Sequence, residues 1–124
     1  MCEPFIGSEA VRSGALTAYR LRSRCIAIHP DVYAPTGTDL TAKTRARAAW
    51  LWSQRRGIVA GHSASALHGA KWVDHQAPAQ LLYEHRRPPA GIRTWSDQIA
   101  EDEFQLVRGV PTTTPARKIG RAHV

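Results

Sequence analysis

Cysteine, aromatic residues and long apolar runs are all scarce in this chain. Of its 124 residues two are cysteines and 7% are aromatic. Cys2 and Cys25 form neither a disulfide framework nor a CxxC pair, so metal and redox roles are not expected of them, and Cys25, within the apolar run 25–28, reads as a core residue. No apolar run approaches a membrane span, and the first ten residues lack a basic stretch followed by an apolar one. The cytoplasm is therefore the expected compartment. Glycine-rich phosphate loops, zinc-ligand spacings and carboxylate clusters are also missing, so no metal and no cofactor is expected.

What the chain has in excess is positive charge, with a formal net of +7. The excess is uneven. Residues 1–56 carry nine basic and four acidic side chains, whereas residues 57–117 carry six of each. Such asymmetry fits either a polyanionic partner or a solvated face of mixed charge. The length fits one domain, or two very small ones sharing a core.

Residues 8–13, polar at the start and followed by Gly14, predict a short helix, and residues 17–23 predict a second after a brief turn. Two β-prone runs at 25–28 and 32–34 flank His29-Pro30-Asp31 and read as a hairpin. Two helices and a hairpin form a candidate winged helix. In such a module the second helix enters the major groove and the hairpin touches the backbone. Thr17, Tyr19, Arg20, Arg22 and Arg24 are then the candidate DNA contacts, with ordinary solvated arginines as the alternative.

The alanine-rich segment 40–53 predicts the longest helix, capped by Thr41 and stopped at Gly57. Trp50 and Trp52 are separated by about 200° on that helix and cannot share a face. Either one enters the core while the other covers a second surface, or the core wraps the helix. Residues 58–60 read as a short strand and 63–68 as a short helix ended by Gly69. Three or four short strands are then expected over 79–83, 91–95 and 104–107 with the following run 108–112, in which Arg108-Gly109 suits a hairpin turn.

Gly61-His62-Ser63 after an apolar run invites comparison with the nucleophile turn of serine hydrolases. That turn requires Gly-x-Ser-x-Gly, and Ser65 stands where the last glycine must be. Ser63 is instead expected as a helix N-cap. His62 and His68, about 240° apart on a helix, cannot chelate one ion as a pair four apart would. His68 reads as a helix C-terminal residue.

Four motifs in order, Gly14-Ala15-Leu16-Thr17, Pro30-Asp31-Val32-Tyr33, the run 66–72 (ALHGAKW) and the run 110–117 (VPTTTPAR), carry a resemblance. Over residues 4–117 the chain resembles actinobacterial relatives of the abortive-infection type IV antitoxin AbiEi, many of which carry a C-terminal domain similar to very-short-patch-repair endonucleases. The resemblance implies a winged-helix DNA-binding part at 1–38, an antitoxin-type α+β linker domain at 39–117, DNA and a cognate toxin as partners, and no catalytic residue in this chain. Asp31 departs from the glycine that many members have at the wing. Residues 118–124 (KIGRAHV) can be encoded by a string that reads, from its second base, as a common sequencing adapter, so they are expected to be a non-native tail on a fragment.

The expected fold is thus α+β: a winged-helix-like N-terminal part, a helical connector and a small, mainly antiparallel β part. The expected function is that of a DNA-binding, antitoxin-like transcriptional regulator. The alternative is the non-catalytic recognition arm of an endonuclease-related protein whose catalytic domain is missing; a module that contacts a toxin and no DNA is a third reading.

Overall fold

The computed structural model describes residues 3–71, 73–84, 87–95 and 104–114, a mixed α+β structure in which one helix separates two sheets. In chain order these residues form β1 (Phe5–Ile6), α1 (Gly7–Arg12), α2 (Ala18–Arg24), β2 (Cys25–His29), β3 (Val32–Pro35), α3 (Ala42–Trp52), β4 (Ile58–Val59), α4 (Gly61–Leu67), β5 (Ala79–Leu82), β6 (Ile92–Trp95), β7 (Phe104–Val107) and β8 (Val110–Thr113). The small sheet is antiparallel, in the order β1-β3-β2. Its outer strand β1 is only two residues long, too short to show alternation in the sequence.

The large sheet runs β6-β5-β4-β8-β7. It corrects the expectation of a mainly antiparallel β part, because β5–β6 and β4–β8 are parallel while β4–β5 and β7–β8 are antiparallel. Side chains alternate the same way in either orientation, so only the connections decide direction. The β7–β8 hairpin does follow its sequence signal. Arg108 and Gly109 have φ of 52° and 82°, the left-handed pair that a two-residue turn requires to match strand twist.

α3 organises the core. Ala42, Ala46 and Ala49 lie on one face, and Ala46 and Ala49 pack with Val59, Leu81, Ile92 and Val110 of the large sheet. Ala48 and Leu51, on a second face, meet Ile6 and Val32 of the small sheet. Small side chains let the helix approach both sheets closely. Trp50 and Trp52 point into the two seams between those faces, and each packs against both clusters. The 200° separation is real, and the core wraps the helix. Cys25, expected inside, is only half-buried on the edge strand β2.

The helix ends need partners from afar. Thr41 Oγ1 accepts the N–H of Thr44, and His75 Nδ1 accepts that of Ala42 at 2.7 Å, so two side chains cap α3. The helix stops at Trp52, before Gly57, since Gln54 and Arg55 turn left-handed at φ of 61° and 63°. That conformation is costly for non-glycine residues. It delivers Arg55 to Glu9, on which it closes two bonds of 2.7 and 2.9 Å.

Ser63 is not the N-cap of α4, which is Ala60. The helix starts two residues earlier than expected because Gln80 of β5 supplies the cap: its Oε1 accepts the His62 N–H at 2.8 Å. Ser63 Oγ, fully buried, accepts the Gln80 N–H at 2.9 Å. At the far end His68 Nε2 lies 2.9 Å from the Thr113 carbonyl, which can only accept, so Nε2 carries the proton. α4 is thereby stitched to β5 at one end and to β8 at the other.

Two stability outcomes follow from this packing. Ser63→Ala leaves the partly buried Gln80 N–H without its acceptor and is expected to lower unfolding free energy by about 1–2 kcal/mol in urea titrations. Ala46→Leu drives three extra carbons into the space between α3 and the large sheet. It should cost about 1–3 kcal/mol, whereas Arg56→Gln at an exposed position should stay within about 0.5 kcal/mol.

Candidate nucleic-acid interface

The helix pair is built on local signals. α1 ends where Ser13 N–H bonds the Glu9 carbonyl and Gly14 takes a φ of 83°. Thr17 opens α2 as its N-cap, its Oγ1 accepting the Arg20 N–H at 3.1 Å. Seven residues are too few for a stable isolated helix. α2 is held by one buried side chain, Leu21.

That single anchor orients everything else. Relative to Leu21, Tyr19 and Ser23 lie opposite, at about 160° and 200°, and point straight out. Tyr19 is 71% exposed. Arg20 and Arg22 lie about 100° to either side of Leu21, and Arg24 lies beside Arg20 on the flank closer to the anchor. All three arginines are exposed, and among the described residues none has an acidic partner. The five predicted residues therefore gather on one short helix. The arginines, however, flank a tyrosine ridge and do not form one stripe, because positions two apart fall on opposite sides.

The hairpin is less free. Asp31, left-handed at φ 61°, turns its side chain onto the start of α1: Oδ1 accepts the Ser8 N–H at 2.9 Å and Oδ2 the Ser8 hydroxyl at 2.6 Å. Its carbonyl accepts the Gly7 N–H at 2.8 Å. Aspartate here tolerates the left-handed turn and also caps α1 from across the sheet, which glycine could not do. Gly7 itself must be glycine, since a Cβ there would lie 2.6 Å from the Tyr33 ring. The hairpin turn thus docks on α1 and leaves the edge strand β2, with Ile26 and Ala27 exposed, as the open part of the hairpin.

Beside the hairpin turn His29 is buried, its Nδ1 without a hydrogen-bond partner. Burial, with the nearby Arg45 charge adding to it, pushes its pKa down to about 4 from 6.5. On the other side of α1 the Arg55 guanidinium, by its hydrogen bonds to Glu9, holds that carboxyl below its ordinary range and is itself raised. Both ties secure α1, so α2 is carried on a fixed support.

The basic loop that begins at His85 and Arg86 has those two residues outside the described ones, as are the acidic run 101–103 and the tail 118–124. Among the described residues no three His, Cys, Asp or Glu side chains gather to hold a metal ion, and no helix is long and apolar enough to cross a membrane. Sequence reasoning missed a cleft beside α3 in which Arg47, Arg55 and Arg108 converge, because Arg47 and Arg108 are 61 residues apart. The usable signal was Lys43, Arg47 and Trp50 on one helical stripe. No family model, curated protein or solved structure matches the chain.

The buried imidazole makes stability depend on pH. A folded-state pKa near 4, below the unfolded value of 6.5, means that the unfolded chain binds the proton more readily between those values. His29 thus contributes stability that is complete above about pH 6.5 and is lost as pH falls toward 4. Urea titrations should show a loss on the order of 1–2 kcal/mol across that window, and His29→Leu should flatten that part of the profile.

Proposed function

We propose that the chain is a DNA-binding, antitoxin-like regulatory module that works in the cytoplasm, with residues 1–38 contacting DNA and residues 39–117 forming the linker part. The observation that carries this reading is α2: a capped, exposed helix whose three arginines have no acidic partner among the described residues. In the winged-helix reading it follows a short turn, as a recognition helix does, with Tyr19 and Arg20 near its N-terminal end, where base edges are met. Arg22 and Arg24 serve the phosphates. The docked hairpin turn narrows the role of the wing, so β2 rather than the turn would lie beside the backbone. A solvated basic face is the competing explanation. It predicts that all basic clusters behave alike.

Salt dependence separates the two. Binding of a duplex should weaken with salt at a log–log slope of about −0.9 per neutralised phosphate. Replacing Arg20, Arg22 and Arg24 together by alanine should flatten the slope by up to about 3 units, while Arg86→Ala with Arg87→Ala should change it by less than about 1. Fluorescence anisotropy at several salt concentrations measures both. Equal losses from the two clusters, or no salt-sensitive binding, would remove the DNA reading.

A further inference from the structure

The seam of α3 that faces β1 is not filled by the protein. A cleft of about 710 Å³ opens there, bounded by β1, α1 with its following turn, α3 and the Arg108-Gly109 turn. Its size falls in the usual range for small-molecule sites, about 300–1,000 Å³, and it lies where two packed units meet, as such sites often do. Ile6, Leu16, Leu51 and the Trp50 ring supply an apolar lining. Arg47, Arg55 and Arg108 supply charge.

Two buried donors in this lining lack an acceptor: Nε1 of Trp50 and Nε of Arg47. They stand three residues apart on α3 and so on the same side of the helix. Neither group can accept a hydrogen bond. Both atoms are covered, so a ligand in the cleft meets the outer nitrogens of the partly exposed Arg47 guanidinium. The other bonds of Arg47 are long for a guanidinium, 3.3 Å to Glu3 Oε1 and 3.5 Å to the Arg108 carbonyl. Charge-assisted pairs normally close to about 2.7–2.9 Å, so Arg47 is not saturated. Arg55, in contrast, is fully engaged by both oxygens of Glu9. Three arginines against Glu3 and Glu9 leave the cleft one positive charge in excess.

We propose that this cleft binds a small amphipathic monocarboxylate, with the carboxylate on the Arg47 and Arg108 guanidinium groups and an apolar body against Ile6, Leu16, Leu51 and the Trp50 ring. The single excess charge favours a monoanion over a phosphate dianion. The incompletely paired Arg47 guanidinium disfavours a purely apolar ligand, which would cover its charge without pairing it. The site is separate from the arginines of α2, so it stands or falls independently of DNA binding.

The probes are phenylacetate, phenyl phosphate and benzyl alcohol, titrated into the full chain while the tryptophan indole ¹⁵N–¹H signals are followed. Trp50 is assigned from Trp50→Phe. Phenylacetate should move the Trp50 signal saturably, with benzyl alcohol moving it little and phenyl phosphate binding more weakly. Arg47→Gln should weaken phenylacetate by about tenfold, and Arg20→Ala should not change it. Should circular dichroism show that Arg47→Gln does not fold, Arg108→Asn, which suits the left-handed turn, takes its place with an expected weakening of about threefold. No saturable shift with phenylacetate, or an equal shift with benzyl alcohol, overturns the site. Tighter binding of phenyl phosphate overturns the monocarboxylate assignment.

Discussion

The structure depends on a single helix being buried on two sides. α3 must touch a three-stranded sheet and a five-stranded sheet at once, and only small side chains let one backbone come close to both. Ala42, Ala46, Ala48 and Ala49 meet that constraint, and each is almost completely buried. Leaving two faces to alanine creates two seams, which need large side chains. Trp50 and Trp52 lie over them, and each packs against both apolar clusters. A single sheet leaves its apolar face open whatever its size, so the helix covers what each exposes.

The N-terminal helix pair is attached to this core by polar ties more than by apolar area. Asp31 holds the start of α1 and Arg55 holds Glu9 on its outer side. The second tie is exposed and contributes modestly, as surface ion pairs do. α2 then rests on that support through Leu21 alone, which leaves most of its surface to solvent. A helix so lightly buried contributes little to the core, and its arginines have no acidic partner among the described residues. The proposed DNA contact draws on this combination. The cleft along the α3 seam has a different origin. Trp50 covers the seam without filling it, and its indole N–H stays unpaired beside Arg47.

Local chemistry made much of this readable in the sequence. Thr17 and Thr41 mark helix starts, Gly69 ends α4, Arg108-Gly109 closes a hairpin, and the charge asymmetry points to the first half. Each of these signals acts within a few residues, where propensity and capping decide the backbone. That Thr17, Tyr19, Arg20, Arg22 and Arg24 share one capped helix was legible for the same reason. The features that only the tertiary structure decided involve groups distant in sequence. The direction of the strand pairs follows from how the connections travel, which alternation does not encode. Gln80 replaced Ser63 as the cap of α4, and Asp31 became the cap of α1, because a backbone N–H takes whichever acceptor folding brings near it. Arg47, Trp50 and Arg108 came to line one cleft because α3 and the β7–β8 turn pack together. The sequence by itself determined the helices, most of the strands and their turns; packing decided which residues meet, because contacts across 17 to 61 positions are set by the competition of whole elements for one core and not by local preference.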